Sequence, residues 1–133
     1  MIDTVIRELV RGRAGDRCEY CHLRQADLPY ATFHVEHIVP RKHGGTDDAT
    51  NLALACDRCN FSKGVNLTGI DPESAQLTPL FNPREHIWSS HFIASGAAIV
   101  GLTAIGRTTA RVLNMNEPRR LRLRAVLEQW EDT

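Results

Sequence analysis

The sequence predicts one α+β domain over residues 1–133, and three observations support that fold class. Apolar residues recur at helical spacing near the N-terminus and again in the C-terminal third of the chain. Residues 32–39 are instead rich in β-branched and aromatic residues, as strands are, and "LALAC" at residues 52–56 can form a second short strand. Two C-x-x-C cysteine pairs flank these strands, so distant parts of one small core are expected to be tied together.

The N-terminal half is predicted to contain a helix on each side of the two strands. Asp3 can cap a helix over residues 4–12, because an aspartate side chain accepts hydrogen bonds from free N–H groups at a helix start. Its predicted apolar stripe consists of Val5, Ile6, Leu9 and Val10. A Gly-Gly turn follows the first strand, and residues 57–63 have helical character that ends at Gly64.

Residues 65–133 are predicted to form a C-terminal extension packed on the core of residues 18–64. Residues 66–86 are polar and contain prolines, so we expect an ordered but irregular connection. Its apolar residues suggest that it packs on the domain; they are Leu77, Leu80 and Phe81.

The C-terminal extension is predicted to end in a hairpin and two helices. Residues 87–94 and 98–102 can pair across "SGA". The helices are expected to begin near Thr103 and Pro118. The apolar stripe of the second consists of Leu123, Val126, Leu127 and Trp130.

The charge and hydropathy of the chain exclude several classes of protein. The formal net charge is zero, which argues against strong attraction of the whole molecule to nucleic acid but leaves a local basic face open. No apolar run approaches the roughly 18 residues that span a bilayer, and the N-terminus lacks the apolar core of a signal peptide. We therefore expect a cytoplasmic protein that does not cross a membrane.

The four cysteines predict a structural zinc site. They form the pairs "CEYC" (Cys18, Cys21) and "CDRC" (Cys56, Cys59), the spacing of tetrahedral zinc ligands. Disulfides are not expected without a secretion signal. Free thiols and a redox pair are the alternatives, although a redox motif needs only one pair and a βαβ context that this sequence lacks.

A zinc ion bound by both pairs would also bring other polar residues together. The intervening 34 residues include "FHVEHIVPRKHGG", and the second pair is followed at once by "NFSK". The strand with Glu36 and His37 would then lie close to the helix with Asn60 and Lys63. An acid, an imidazole, an amide and an ammonium would surround one small volume.

The run "HVEHIVPRKHGGTDDATNLALACDRCNFSKG", with "CEYC" upstream, resembles the HNH nuclease superfamily in its zinc-knuckle form. The shared features are an acidic residue followed by His, a proline two residues past the next Ile, a Gly-Gly turn, an Asn before the second strand, and C-x-x-C-Asn-x-x-Lys. The resemblance covers residues 18–64, about a third of the chain.

The resemblance implies a ββα-metal fold in which Glu36 and Asn60 bind one divalent cation and His37 is the general base. The implied activity is endonucleolytic hydrolysis of DNA, which leaves 5′-phosphate and 3′-hydroxyl ends. Neutral imidazole suits proton abstraction near pH 7, and a metal neutralises charge that develops at the phosphate. Oxygen ligands favour Mg²⁺ or Mn²⁺.

The resemblance also assigns supporting roles. Asn51 is expected to hold the loop between the strands and so orient His37, and Lys63 is expected to contact a phosphate, so we group both with His37 as catalytic. Candidate nucleic-acid contacts are the residues Arg41, Lys42, His43 and Arg58.

Two positions depart from the family pattern. Many members have Asp or His in place of Glu36, and His in place of Asn60, so the metal is expected to sit slightly differently. His34 lies on the same strand face as Glu36 and is a further candidate ligand, which would admit softer metals. Because strand neighbours point to opposite faces, Glu36 and His37 are expected to reach one site only where the strand ends.

A non-catalytic zinc-ribbon module that binds nucleic acid or protein is the alternative from another class. Such a module needs the zinc but no second metal. It predicts that binding survives the loss of His37 or Glu36 but not of Cys18 or Cys56.

Overall fold

The computed structural model describes residues 2–131, with only the backbone of Trp130 and Glu131, so the predicted stripe position of Trp130 lies outside the described side chains. The chain forms two compact units, Met1–Leu67 with Asn82–His86 and Thr68–Phe81 with Ile87–Thr133. Helices are combined with three small antiparallel sheets, which confirms the α+β class. The single domain over residues 1–133, with residues 65–133 packed on 18–64, stays a prediction.

Helix α1 (Thr4–Ala14) of the first unit has the predicted cap but not the predicted apolar stripe. Asp3 Oδ1 accepts a hydrogen bond from Ile6 N at 2.9 Å. Val10 is fully buried, whereas Val5 and Leu9 are 73% and 51% exposed, so the prediction of a four-residue apolar stripe was wrong.

Because Val10 is the buried apolar residue of α1, two arginine side chains provide further contacts between this helix and the rest of the unit. Arg11 and Arg13 donate to the carbonyls of Phe33 and Leu52, each at 2.8 Å. Hydrogen bonds with a charged donor are stronger than neutral ones, so they supplement the packing of Val10.

Strands β1 (His34–His37) and β2 (Leu52–Ala55) form an antiparallel pair, with Glu36 opposite Ala53. Every residue of β2 is buried. Both strands are shorter than predicted, and β1 ends at His37, as a site shared by Glu36 and His37 requires. Helix α2 (Asp57–Lys63) follows β2 after one residue and ends at Gly64, as expected.

The loop between β1 and β2 folds back on its own backbone. A single 3-10 turn, Arg41–His43, leads to Gly44 with φ of 90°, a conformation that favours glycine. A Cβ on Gly45 would lie 1.6 Å from Val39 O, so only glycine permits this close approach. The Gly-Gly turn thereby fixes the path of the chain beside His37.

The second unit contains two hairpins. Strands β3 (Thr68–Ile70) and β4 (Leu77–Pro79) pair in the segment that we expected to be irregular. Of its apolar residues, Leu80 and Phe81 are buried as predicted, but Leu77 is 71% exposed. Glycine at position 69 lets this hairpin approach the next helix, because a Cβ there would lie 2.6 Å from a methyl group of Val112.

The predicted second hairpin is present, with its first strand shortened. Strands β5 (Phe92–Ser95) and β6 (Ala98–Gly101) pair antiparallel. Residues 88–91, predicted as strand, instead form the short helix α3 (Trp88–His91). Trp88 stacks on Phe92 at 5.1 Å between ring centroids, a contact that the helical turn makes available.

Helices α4 (Ala104–Val112) and α5 (Pro118–Glu131) complete the second unit and begin where predicted. Two arginines of α5 bind backbone carbonyls: Arg120 donates to Leu113 O at 2.7 Å, and Arg124 donates to Met115 O at 2.6 Å. No helix within residues 2–131 is both long and apolar enough to cross a membrane.

Candidate active site

The four cysteines form the zinc-knuckle site that their spacing predicted. All four are buried, and their sulfur atoms lie within 4.8 Å of one another. Cys21 Sγ and Cys56 Sγ are 3.7 Å apart, close to the roughly 3.8 Å expected between ligands 2.3 Å from a tetrahedral zinc. Burial raises the pKa of the Cys18 thiol, so its thiolate needs a cation beside it. The donor set fits structural zinc.

Each cysteine pair closes a tight knuckle. Cys21 N lies 3.5 Å from Cys18 Sγ, and Cys59 N lies 3.4 Å from Cys56 Sγ. These N–H···S contacts are typical stabilising features of metal-bound sulfur because the sulfur carries negative charge.

The first knuckle also carries two residues that reach the rest of the unit. Glu19 Oε2 accepts a hydrogen bond from Leu54 N at 2.8 Å, and Glu19 Oε1 pairs with Arg84. Tyr20 is fully buried, and its hydroxyl donates to Glu36 Oε1 at 2.5 Å. The zinc ligands therefore position a donor for the predicted metal-binding carboxylate.

Glu36 is buried and has a partner on each oxygen. Lys63 Nζ lies 3.2 Å from Glu36 Oε2, opposite the Tyr20 contact. Burial raises the pKa of Glu36, and the charge of Lys63 and the Tyr20 hydrogen bond offset only part of this rise. The negative charge on Glu36 is thus incompletely compensated by the protein.

Lys63 lies in the interior of the unit. Its side chain is 2% exposed, and its ammonium also donates to the carbonyls of His37 and Ile38 at 3.2 and 3.0 Å. Its three protons are therefore all taken by protein oxygens. A phosphate contact by Lys63 would require the side chain to leave this position.

His37 is hydrogen-bonded to Asp47, a residue that the sequence analysis did not identify as part of the site. His37 Nε2 lies 2.7 Å from Asp47 Oδ1, and Arg41 forms a bidentate pair with the same carboxylate. Arg41 and then His37 lower the pKa of Asp47 well below its usual value. Asp47 is therefore ionised at neutral pH and accepts from both.

An open groove of about 740 Å³ brings His37 together with the predicted ligands of the catalytic metal. The predicted site residues that line it are His34, Glu36, His37, Asn60, Arg41 and Lys42. The His34 ring and the Asn60 amide have no hydrogen-bond partner among the described residues, so both remain available to a ligand. A half-buried polar group that is left unpaired at a groove is a feature of binding sites.

Asn51 does not line the groove but binds the backbone of the loop between β1 and β2. Its Oδ1 accepts from Val39 N at 2.9 Å, and its Nδ2 donates to the carbonyls of Val39 and Thr46 at 2.9 and 2.8 Å. The amide thereby ties the end of β1 to the segment that leads to Asp47. Our assignment of Asn51 to the loop agrees with these contacts.

The candidate nucleic-acid contacts divide into two groups. Arg41 and Lys42 line the groove, whereas His43 and Arg58 are exposed but do not line it. Arg7 of α1 lines the groove as well, and no motif in the sequence indicated it. Arg7, Arg41 and Lys42 thus give the groove three basic side chains, of which Arg41 is paired with Asp47.

The comparisons with known proteins agree with the geometry. Residues 18–65 match the family model described as HNH endonuclease, which confirms the resemblance. The chain is 28% identical over 110 residues to the Septu protein PtuB of Bacillus thuringiensis, a match that covers 81% of this chain and 40% of that protein.

A second relative matches a shorter part of the chain. The chain is 38% identical over 53 residues to the CRISPR-associated endonuclease Cas9 of Corynebacterium diphtheriae, 39% of this chain and 5% of that protein. The chain thus spans less than half the length of both relatives. No solved structure matches it significantly. Residues 18–65 therefore combine a match to the HNH endonuclease family model with a buried four-cysteine site.

Proposed function

We propose that the HNH domain at residues 18–65 is a metal-dependent endonuclease that hydrolyses DNA phosphodiester bonds. The carrying observation is the groove that brings His37, Glu36 and the unpartnered Asn60 amide to one surface. These are a base and two oxygen donors, the set that phosphodiester hydrolysis needs. The family match and the printed name of one relative, an endonuclease, support a nuclease in general.

The charge of the groove suits a polyanionic substrate. Arg7, Arg41 and Lys42 line it, and no Asp or Glu other than Glu36 does. Basic side chains attract phosphates without selecting a base sequence. The net charge of zero makes this attraction a local property of the groove.

The oxygen donors of the groove fit a hard divalent cation, Mg²⁺ or Mn²⁺. Glu36 and Asn60 are the proposed ligands, and each Glu36 oxygen keeps a lone pair beyond its one described hydrogen bond. When bound, the cation would stabilise negative charge on the reacting phosphate. His34 faces the same groove, and its coordination would extend the range to softer metals.

His37 is the proposed general base. Its ring lies on the groove and can take the proton of a water that attacks the phosphate, with the 3′-oxygen as leaving group. The products would be 5′-phosphate and 3′-hydroxyl ends. Asn51 and Lys63 hold the backbone that carries His37, through Val39, Thr46 and the His37 carbonyl.

Plasmid nicking with Mg²⁺ or Mn²⁺ tests the proposal. We expect wild type to nick and His37→Ala to be slower by about 10²- to 10⁴-fold, the usual contribution of a general base. Both proteins must be folded and zinc-loaded, as judged by circular dichroism and metal analysis. A wild type that matches the no-enzyme control with either cation would overturn the proposal.

Metal binding provides a test that does not depend on activity. Titration of the zinc-loaded protein with Mn²⁺ is expected to reveal one weak site that Glu36→Gln abolishes. Glu85→Gln is the matched control, since Glu85 is exposed and outside the groove. DNA binding without cleavage, retained in His37→Ala and Glu36→Gln, would favour the zinc-ribbon module instead.

A further inference from the structure

We propose that Asp47 is a positioning residue for His37, which fixes the imidazole with its proton on Nε2 and leaves Nδ1 as the basic nitrogen. Neither the family resemblance nor the sequence pattern assigns this role to Asp47. The structural part of the inference concerns only the free protein. Its catalytic consequence rests on the proposed nuclease function.

The direction of the hydrogen bond follows from the chemistry of the pair. Asp47 Oδ1 lies 2.7 Å from His37 Nε2, and an ionised carboxylate can only accept. Neutral His37 must therefore carry its proton on Nε2, which makes Nδ1 the lone-pair nitrogen. Nδ1 makes no hydrogen bond to a described residue, so it is available to a water in the groove.

Asp47 is itself fixed by a second, geometrically specific contact. Arg41 Nε and Nη2 approach Asp47 Oδ1 at 3.0 and 2.7 Å, and Nη2 approaches Oδ2 at 2.7 Å. A bidentate guanidinium restricts the plane of the carboxylate as well as its position. Arg41 thereby restricts the orientation in which Asp47 can receive the imidazole N–H.

The backbone on either side of Asp47 is held too. The Asn51 amide binds Thr46 O at 2.8 Å, and Asn51 N binds Asp48 O at 2.8 Å. These contacts bracket Asp47 from both sides. The loop backbone, the Asp47 carboxylate and the His37 imidazole are therefore held together by consecutive hydrogen bonds.

The alternative is that Asp47 only closes the loop through Arg41. That role predicts a loss of thermal stability in Asp47→Ala with no change in the ring of His37. The two roles are separated by a measurement on the ring itself.

The experiment is long-range ¹H–¹⁵N correlation of the histidine rings in zinc-loaded protein without a further cation, with His37 assigned by its loss in His37→Ala. We expect wild type to have Nε2 protonated and Nδ1 unprotonated at a pH where the ring is neutral. In Asp47→Ala the two nitrogen shifts should move toward the average of mixed tautomers. Asp48→Ala is the matched control, because Thr46 Oγ1 is the one hydrogen-bond partner of the Asp48 carboxylate among the described residues.

Nicking kinetics supply the catalytic readout. We expect Asp47→Ala to lower kcat by about 10- to 100-fold, as the loss of other imidazole-supporting groups does, without a proportional rise in KM. A protonated Nδ1 in wild type, or ring shifts that Asp47→Ala leaves unchanged, would overturn the inference. So would an active Asp47→Ala with wild-type kcat.

The outcomes distinguish this inference from the proposed function. If wild type fails to cut DNA with any divalent cation, the nuclease proposal fails, while the ring measurement still decides whether Asp47 positions His37. If wild type cuts DNA but Asp47→Ala leaves the nitrogen shifts of the His37 ring unchanged, the nuclease proposal stands and the proposed role of Asp47 is wrong.

Discussion

Both units bury a carboxylate, Glu36 in the first and Asp71 in the second, at 8% and 0% exposure. Asp71 accepts from Glu73 N, Ser74 N and Ser74 Oγ, all within its own turn, and from the Arg107 guanidinium. Arg107 foremost lowers the pKa of Asp71 well below its usual value. Burial instead raises the pKa of Glu36.

The two carboxylates differ in how far the protein compensates their charge. Asp71 is surrounded by donors that its own turn and one helix supply, so its charge is compensated and it stabilises the fold. Glu36 has one hydroxyl and one ammonium as partners, and it faces an open groove. A buried charge that the protein compensates only partly, next to a groove, is suited to receive a cation.

Removal of zinc is expected to have the largest effect. Because the four cysteines join distant parts of the first unit, zinc binding supplies folding free energy, about 10–16 kcal/mol in small zinc domains. Chelation should abolish most of the circular dichroism of this unit, and added zinc should restore it. A protein that metal analysis finds zinc-free but whose spectrum is unchanged would contradict this.

Lys63→Met is expected to have the next largest effect, a loss of unfolding free energy. It leaves Glu36 buried without its cation, which typically costs about 3–5 kcal/mol of unfolding free energy. Chemical denaturation at neutral pH measures the loss. Glu36→Gln/Lys63→Met is the control, because without the carboxylate most of the penalty should disappear.

The pH dependence of Lys63→Met follows from the pKa of Glu36. A carboxyl group whose pKa is raised by folding binds its proton more tightly in the folded state, so stability falls as pH rises from the unfolded pKa through the folded one. Lys63 lowers this pKa, so its loss raises it further. The penalty of Lys63→Met should therefore shrink in mild acid, and a constant penalty would contradict this.

The sequence predicted those parts of the site that depend on local spacing. The cysteine pairs, the Gly-Gly turn and the start and end of α2 are properties of a few neighbouring residues. The contact of Glu36 with Tyr20, 16 positions away, is not such a property, and Lys63, 27 positions away, was placed near Glu36 only by assuming that one zinc ion joins the two cysteine pairs. No periodicity indicates which buried donors meet across such distances.

The strands and the site residue that the sequence analysis did not predict were missed for similar reasons. Strands β3 and β4 have three residues each and are mostly exposed, so they lack the alternation that marks a half-buried strand. Asp47 stands next to Asp48 in a loop-like run, and only the folded loop distinguishes the one that reaches His37. Three substrate contacts were assigned by residue type without knowledge of burial or position: Lys63 is buried, and His43 and Arg58 are exposed but do not line the groove, so their contacts with DNA stay predictions.

Glu73→Gln is expected to have the smallest effect, and it tests the comparison in the second unit. Glu73 Oε2 lies 3.3 Å from Arg107 Nε but is 73% exposed, so its loss should change the unfolding free energy by about 0–1 kcal/mol. Asp71→Asn should cost more, since it removes a buried, bidentate partner of the same guanidinium. Because the pKa of Asp71 is lowered, its stabilisation is complete above the unfolded pKa of about 3.9 and is lost as pH falls toward the folded pKa, so the penalty of Asp71→Asn should also shrink in acid. Equal losses in Glu73→Gln and Asp71→Asn would mean that burial does not distinguish these carboxylates, and the contrast with Glu36 would lose its basis.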